Sequence, residues 1–132
     1  NRKGVQVRST VYRVHDAEGR GPWRPGFSRT WVEDRPDHAN LKPWPMEFGT
    51  AFMRKIRPTD HCGCGCLSIE SLRRWFTPSE WATLRLHGYR AVIIEDARIL
   101  ACSEVQAVFT IARPLDDAGV EFDLYAKTEA AT

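Results

Sequence analysis

Cys62, Cys64 and Cys66 stand at every second position of the segment His61-Cys62-Gly63-Cys64-Gly65-Cys66-Leu67-Ser68. On an extended backbone side chains alternate, so the three thiols share one face, and His61, Gly63, Gly65 and Leu67 share the other. A zinc site would take the three thiolates plus His61, His38 or Cys102, because zinc favours sulfur and imidazole donors. The spacing opposes it: paired zinc cysteines are separated by about two to four residues, which lets the turn wrap the ion, and one intervening residue gives a poor bite. Small buried thiols acting as modest hydrophobes are the better reading, and no metal is expected. Gly63 and Gly65 leave bare backbone that a ligand, a helix or another strand can approach closely. Ser68 has the type and position of a helix cap, and the N–H groups at such a start suit an anion.

Arg13 lies between Tyr12 and Val14 in an apolar run. A guanidinium there is expensive to bury without a carboxylate, phosphate or carbonyl partner. Glu104 and Gln106 share one face at the start of a later predicted strand. Glu104 could meet Arg13 across the sheet as an internal salt bridge, or serve catalysis. His15 and His87 have no nucleophile in a matching context, so a hydrolase triad has no support. A Walker loop, GxGxxG and HExxH are all missing from the sequence.

These residues need elements to position them. Val5 to His15 reads as a central strand, with Val5, Val7 and Val11 on one side and Tyr12 and Val14 on the other, hence burial on both faces. Over residues 16–49 the periodicity vanishes, and the stretch carries five of the eight prolines together with Trp23, Trp31 and Trp44. A structureless loop of that length is uncommon in a compact domain and tends to be functional. Its tryptophans are expected to fold it down, either filling the core edge or as a lid on a cleft. After the short apolar piece Ala51-Phe52-Met53 and a turn at Pro58, a helix is expected from Ile69 to about Phe76. Thr77-Pro78-Ser79-Glu80 is a capping box that opens a second helix, running to His87 and stopping at Gly88. Strands follow at 89–95, near Ile99 and at 105–112, with a polar break at Glu95-Asp96. Asp116-Asp117-Ala118-Gly119 reads as a turn, 120–125 as an edge strand and 127–132 as a frayed tail. The whole is an α+β single domain spanning 1–132, with a mostly antiparallel sheet, two short helices and the long Trp/Pro-rich loop.

At 132 residues the chain can bury one core without staples. Lys and Arg number 19 against 17 Asp and Glu, a net charge of +2, so charge does not point to nucleic acid. No apolar run reaches the roughly 18 residues of a membrane span and no signal-peptide pattern is seen, so no membrane association is expected. Cysteines too closely spaced to bond easily point to a reduced, cytoplasmic chain.

The order of these features, an arginine on the first strand, a Gly/Ser segment leading into an aromatic-ended helix and a glutamate opening a late strand, resembles the ADP-ribosyltransferase superfamily. That resemblance implies NAD as cofactor. Arg13 would grip its phosphate or ribose, Ser68 would stand at the serine motif, and Gly63 and Gly65 would border the cofactor. Trp75 or Phe76 would stack on nicotinamide, and Glu104, with Gln106 beside it, would be catalytic, transferring ADP-ribose to a macromolecular target. The Tyr12-Arg13 start, the Gly21-Pro22-Trp23 turn and the Ser68–Phe76 helix also resemble small phage and prophage proteins, a likeness that brings no activity with it. Three functions are therefore carried forward. The first is a nucleotide- or NAD-binding, ADP-ribosyltransferase-like protein. The second is a non-enzymatic phage or mobile-element protein that inhibits a host protein partner through the Trp-rich surface of residues 23–44. The third is a small zinc module.

Overall fold

The computed structural model describes residues 8–23, 26–36 and 41–126. Val5, Val7, His38 and the 127–132 tail, all named above, lie outside the described residues. Five strands occur among them: β1 (Arg8–His15), β2 (His61–Gly65), β3 (Arg90–Cys102), β4 (Ala107–Ile111) and β5 (Val120–Phe122). Three α-helices accompany them: α1 (Trp44–Phe48), α2 (Ile69–Trp75) and α3 (Pro78–Leu86). The chain is α+β, and every strand pairing among the described residues is antiparallel.

The apolar run entering β3 does not stop at Glu95-Asp96, where the sequence suggests a break. Asp96 adopts φ 61°, and the β1–β3 register shifts between Ser9 and Val11, so the polar pair is taken up as a bulge. A bulge inserts a residue without ending the ladder. Across it Thr10 donates its hydroxyl to Glu95 Oε1 at 2.9 Å. β3 therefore serves as one long central strand. Its first part pairs with β1 on one side and β5 on the other, and its last part pairs with β4.

The sheet order is β1-β3-β4-β2, which makes β1 an end strand of the ladder, not the central one expected. The sheet curls until its two ends meet. Tyr12 and Cys66 exchange backbone hydrogen bonds, N–H to O, each 2.8 Å long. Gly65 makes that approach sterically feasible, since a Cβ there would sit 2.6 Å from Val11 Cγ1 and 2.8 Å from Tyr12 O.

Both faces of the sheet are covered, as the β1 alternation implies. Val14 belongs to a cluster with Leu72, Trp75 and Phe76 of the α2 region and Trp81 and Leu84 of α3, whereas Val11 packs with Val92, Ile94, Phe109 and Ala118. The helix starts follow their caps. Ser68 Oγ accepts from Ser71 N–H at 3.1 Å, and Thr77 with Glu80 forms the reciprocal box. Glu80 is fully buried and also ties down the preceding loop: Oε1 accepts from Arg35 Nη2 at 3.1 Å and Oε2 from Glu33 N–H at 2.8 Å. Burial would raise its pKa, but the amides of Glu33 and Thr77 and the Arg35 guanidinium outweigh that and hold it low.

The 16–49 stretch is not wholly irregular. It contains a 3-10 turn at Ser28–Thr30 and the five-residue α1, which follows Pro43 and carries Pro45 in its first turn. Proline is tolerated there because the first helical N–H groups have no intrahelical partner. The last strand ends at Phe122, earlier than the 120–125 expected.

Candidate functional site: an aromatic-walled cavity over a buried arginine

Arg13 reaches the crossing of β1 and β2 and is only 6% exposed. Its Nη1 donates to Cys64 O at 2.7 Å, Nη2 to Gly19 O at 2.8 Å and Nε to His15 Nδ1 at 3.2 Å. Gly63 leaves room for it, because a Cβ there would lie 3.0 Å from Nη1. Among the described residues no carboxylate forms an ion pair with Arg13; burial lowers its pKa, against the opposing pull of Cys64, Cys62 and Asp16. A guanidinium carries five N–H groups, so three bonds to neutral acceptors leave donors and the positive charge available.

The expected Arg13–Glu104 salt bridge is not made. β4 starts at Ala107, so Glu104 and Gln106 lie in the turn ahead of it, where Ser103 Oγ accepts from the N–H groups of Val105 (3.2 Å) and Gln106 (3.4 Å). This turn leaves Glu104 exposed, and its carbonyl accepts from the Ser71 hydroxyl at 3.1 Å. Gln106 is turned inward and 4% exposed. Its Nε2 donates to Lys42 O and to Glu47 Oε1, both at 2.7 Å, which fastens the α1 segment to the sheet.

Above Arg13 opens a cavity of about 480 Å³, within the size range of small-molecule sites. Of the residues singled out from the sequence, Arg13, Gly63, Gly65, Trp75, Phe76 and Gln106 line it, whereas Ser68 and Glu104 do not. Ser68 Oγ is engaged with Ser71 N–H as the cap of a helix only seven residues long. Trp23 and Trp44, which the sequence suggests for a lid or a binding surface, also line the cavity, together with Pro43 and Pro45, which it does not suggest as site residues. Their signal was the clustering of tryptophan and proline in one irregular stretch.

The aromatic wall is internally braced. Trp75 donates its indole N–H to Val105 O at 2.7 Å, and Trp23 lies edge-on to Trp75 (6.2 Å) and Trp31 (4.7 Å). Trp44 packs against Phe52 with centroids 5.4 Å apart. Trp31 is 3% exposed, donates to Pro22 O at 3.1 Å and packs on Phe76. The Trp-rich surface expected over residues 23–44 thus loses Trp31 to the core, because an indole that large is better buried than wetted. Trp23, 43% exposed, stands at the cavity rim.

All four cysteines are free thiols, and burial pushes the pKa of Cys62, Cys64 and Cys66 up, so these three remain protonated. Among the described residues no group of three or more His, Cys, Asp or Glu side chains is disposed to hold a metal ion. No helix among them is long and apolar enough to cross a membrane.

A family model described as Bacteriophage T4 Y00F protein matches residues 7–115. The match is to a phage family and not to ADP-ribosyltransferases. No curated protein and no solved structure matches the chain.

Proposed function

We propose that this chain, which belongs to the Bacteriophage T4 Y00F protein family, is a non-enzymatic phage protein that binds a small ligand of the nucleotide class, NAD among the candidates, in the cavity over Arg13. One observation carries the reading: a buried guanidinium with no carboxylate partner among the described residues, at the edge of an aromatic-walled hollow. A buried cation without an ion-pair partner is costly, and a phosphate is the group that its remaining donors fit best. Trp23, Trp44, Trp75 and Phe76 offer flat apolar surface for a base. ADP-ribose transfer would need a carboxylate beside the ribose. Among the described residues lining the cavity none is acidic, so the reading stops at binding. A cytoplasmic setting, where nucleotides are abundant and thiols stay reduced, belongs to the same reading.

Thermal melting with and without ligand tests it. NAD, ADP-ribose or AMP is expected to raise the melting temperature as binding to the folded state requires, and inorganic phosphate alone to raise it less. Trp23→Ala, at the rim, is expected to keep the fold and weaken binding by about 0.5–1.5 kcal/mol. No shift with any nucleotide at millimolar concentration would overturn the proposal.

A further inference from the structure

We infer that Gln106 selects the ligand by accepting a hydrogen bond from a donor on its planar group, an inference that rests on the binding reading above. The orientation of the amide is fixed. Both recorded partners of Nε2, Lys42 O and Glu47 Oε1, are acceptors, and a flipped amide would set its oxygen against them. Oε1 is therefore the end left over, and none of the described residues donates to it. Gln106 is 4% exposed and lines the cavity, so a ligand that covers Oε1 without donating to it takes away its water and gives no hydrogen bond in return.

The two polar groups are held at different points of the cavity lining. Gly65 pairs with Ala107, the residue after Gln106, while the Arg13 guanidinium is bonded at Cys64 O. A lone inorganic anion offers Gln106 no donor, whereas a ligand that carries both an anion and an N–H suits both groups, and Trp75 and Phe76 share the same lining. Adenine and cytosine bring an amino group, and guanine and uracil a ring N–H. Unsubstituted purine brings none.

Calorimetric titration of the unaltered chain with the four ribonucleoside monophosphates, purine riboside monophosphate and inorganic phosphate decides it. The best of the four is expected to bind about tenfold or more tightly than the purine riboside compound, because only the latter leaves Oε1 unpaired. In Gln106→Met the gap is expected to close to within about threefold. Equal affinities for the unaltered chain, or a gap that survives in Gln106→Met, would overturn the role of Gln106 and leave nucleotide binding standing. If none of the nucleotides binds, the binding reading falls and this one with it. The comparison among ligands needs no variant, so it decides even if Gln106→Met does not fold.

Discussion

Arg13 and His15 together show how a buried basic pair is accommodated. His15 is fully buried, and its Nδ1 accepts from Arg13 Nε, which makes it the Nε2–H tautomer. Burial, followed by the Arg13 and Arg90 guanidinium groups, pushes its pKa down to about 4 against the opposing pull of Asp16 and Asp116. The unfolded chain takes up a proton near the ordinary value of about 6.5 that the folded chain refuses. Stability from this group is complete above that value and drains away as pH falls toward about 4. An NMR titration is expected to find the His15 ring still neutral at about pH 5, and a ring titrating near 6.5 would contradict the assignment. At Gly65 the argument is steric: Gly65→Ala forces a Cβ against Val11 and the Tyr12 carbonyl and is expected to cost about 1–3 kcal/mol in denaturant unfolding. An unchanged midpoint would mean that the two strands can part freely. The sequence made the type and burial of Arg13 legible, but not its partners, which come from 6 and 51 residues away along the chain.

Among the elements, α2 and α3 were the most legible because their start signals are local. Ser68 caps one, and Thr77, Pro78 and Glu80 open the other, where the sequence places them. The prolines around α1 hide it in the sequence, and β3 looks like two strands there because a bulge and a turn look alike in polar residues. Glu104 departs from its expected strand for a related reason: the Ser103 turn ends the pairing before β4 begins, and Glu104 is exposed. Glu80 carries more than a cap, since it accepts from the Thr77 and Glu33 amides and from Arg35 with no exposure of its own. Glu80→Ala is expected to destabilise the chain by about 3 kcal/mol or more, because it removes the acceptor of the Thr77 and Glu33 amides and leaves Arg35 without this partner. A loss below about 0.5 kcal/mol, the size of an exposed pair, would show that the site is effectively solvated.

At the scale of the whole molecule, closure of the curled sheet creates the cavity. β1 and β2 are joined at Tyr12 and Cys66, Arg13 is trapped where they cross, and the 41–48 stretch is fastened over the opening by Gln106. None of those contacts is local, which is why the α+β class was readable from the order of elements and the closure was not. The sequence did supply the residue types that such a closure needs: glycines at the crossing, a cation beneath and aromatics above. With Trp23, Trp44 and Trp75 all lining the cavity, the molecule carries its own reporter. The most direct test of the central claim is therefore a tryptophan fluorescence titration of AMP against adenosine, two ligands that differ only in the phosphate offered to Arg13. Saturable quenching is predicted for both, with AMP acting at a concentration about tenfold or more lower. Coincident curves, or emission that neither ligand changes, would contradict the account.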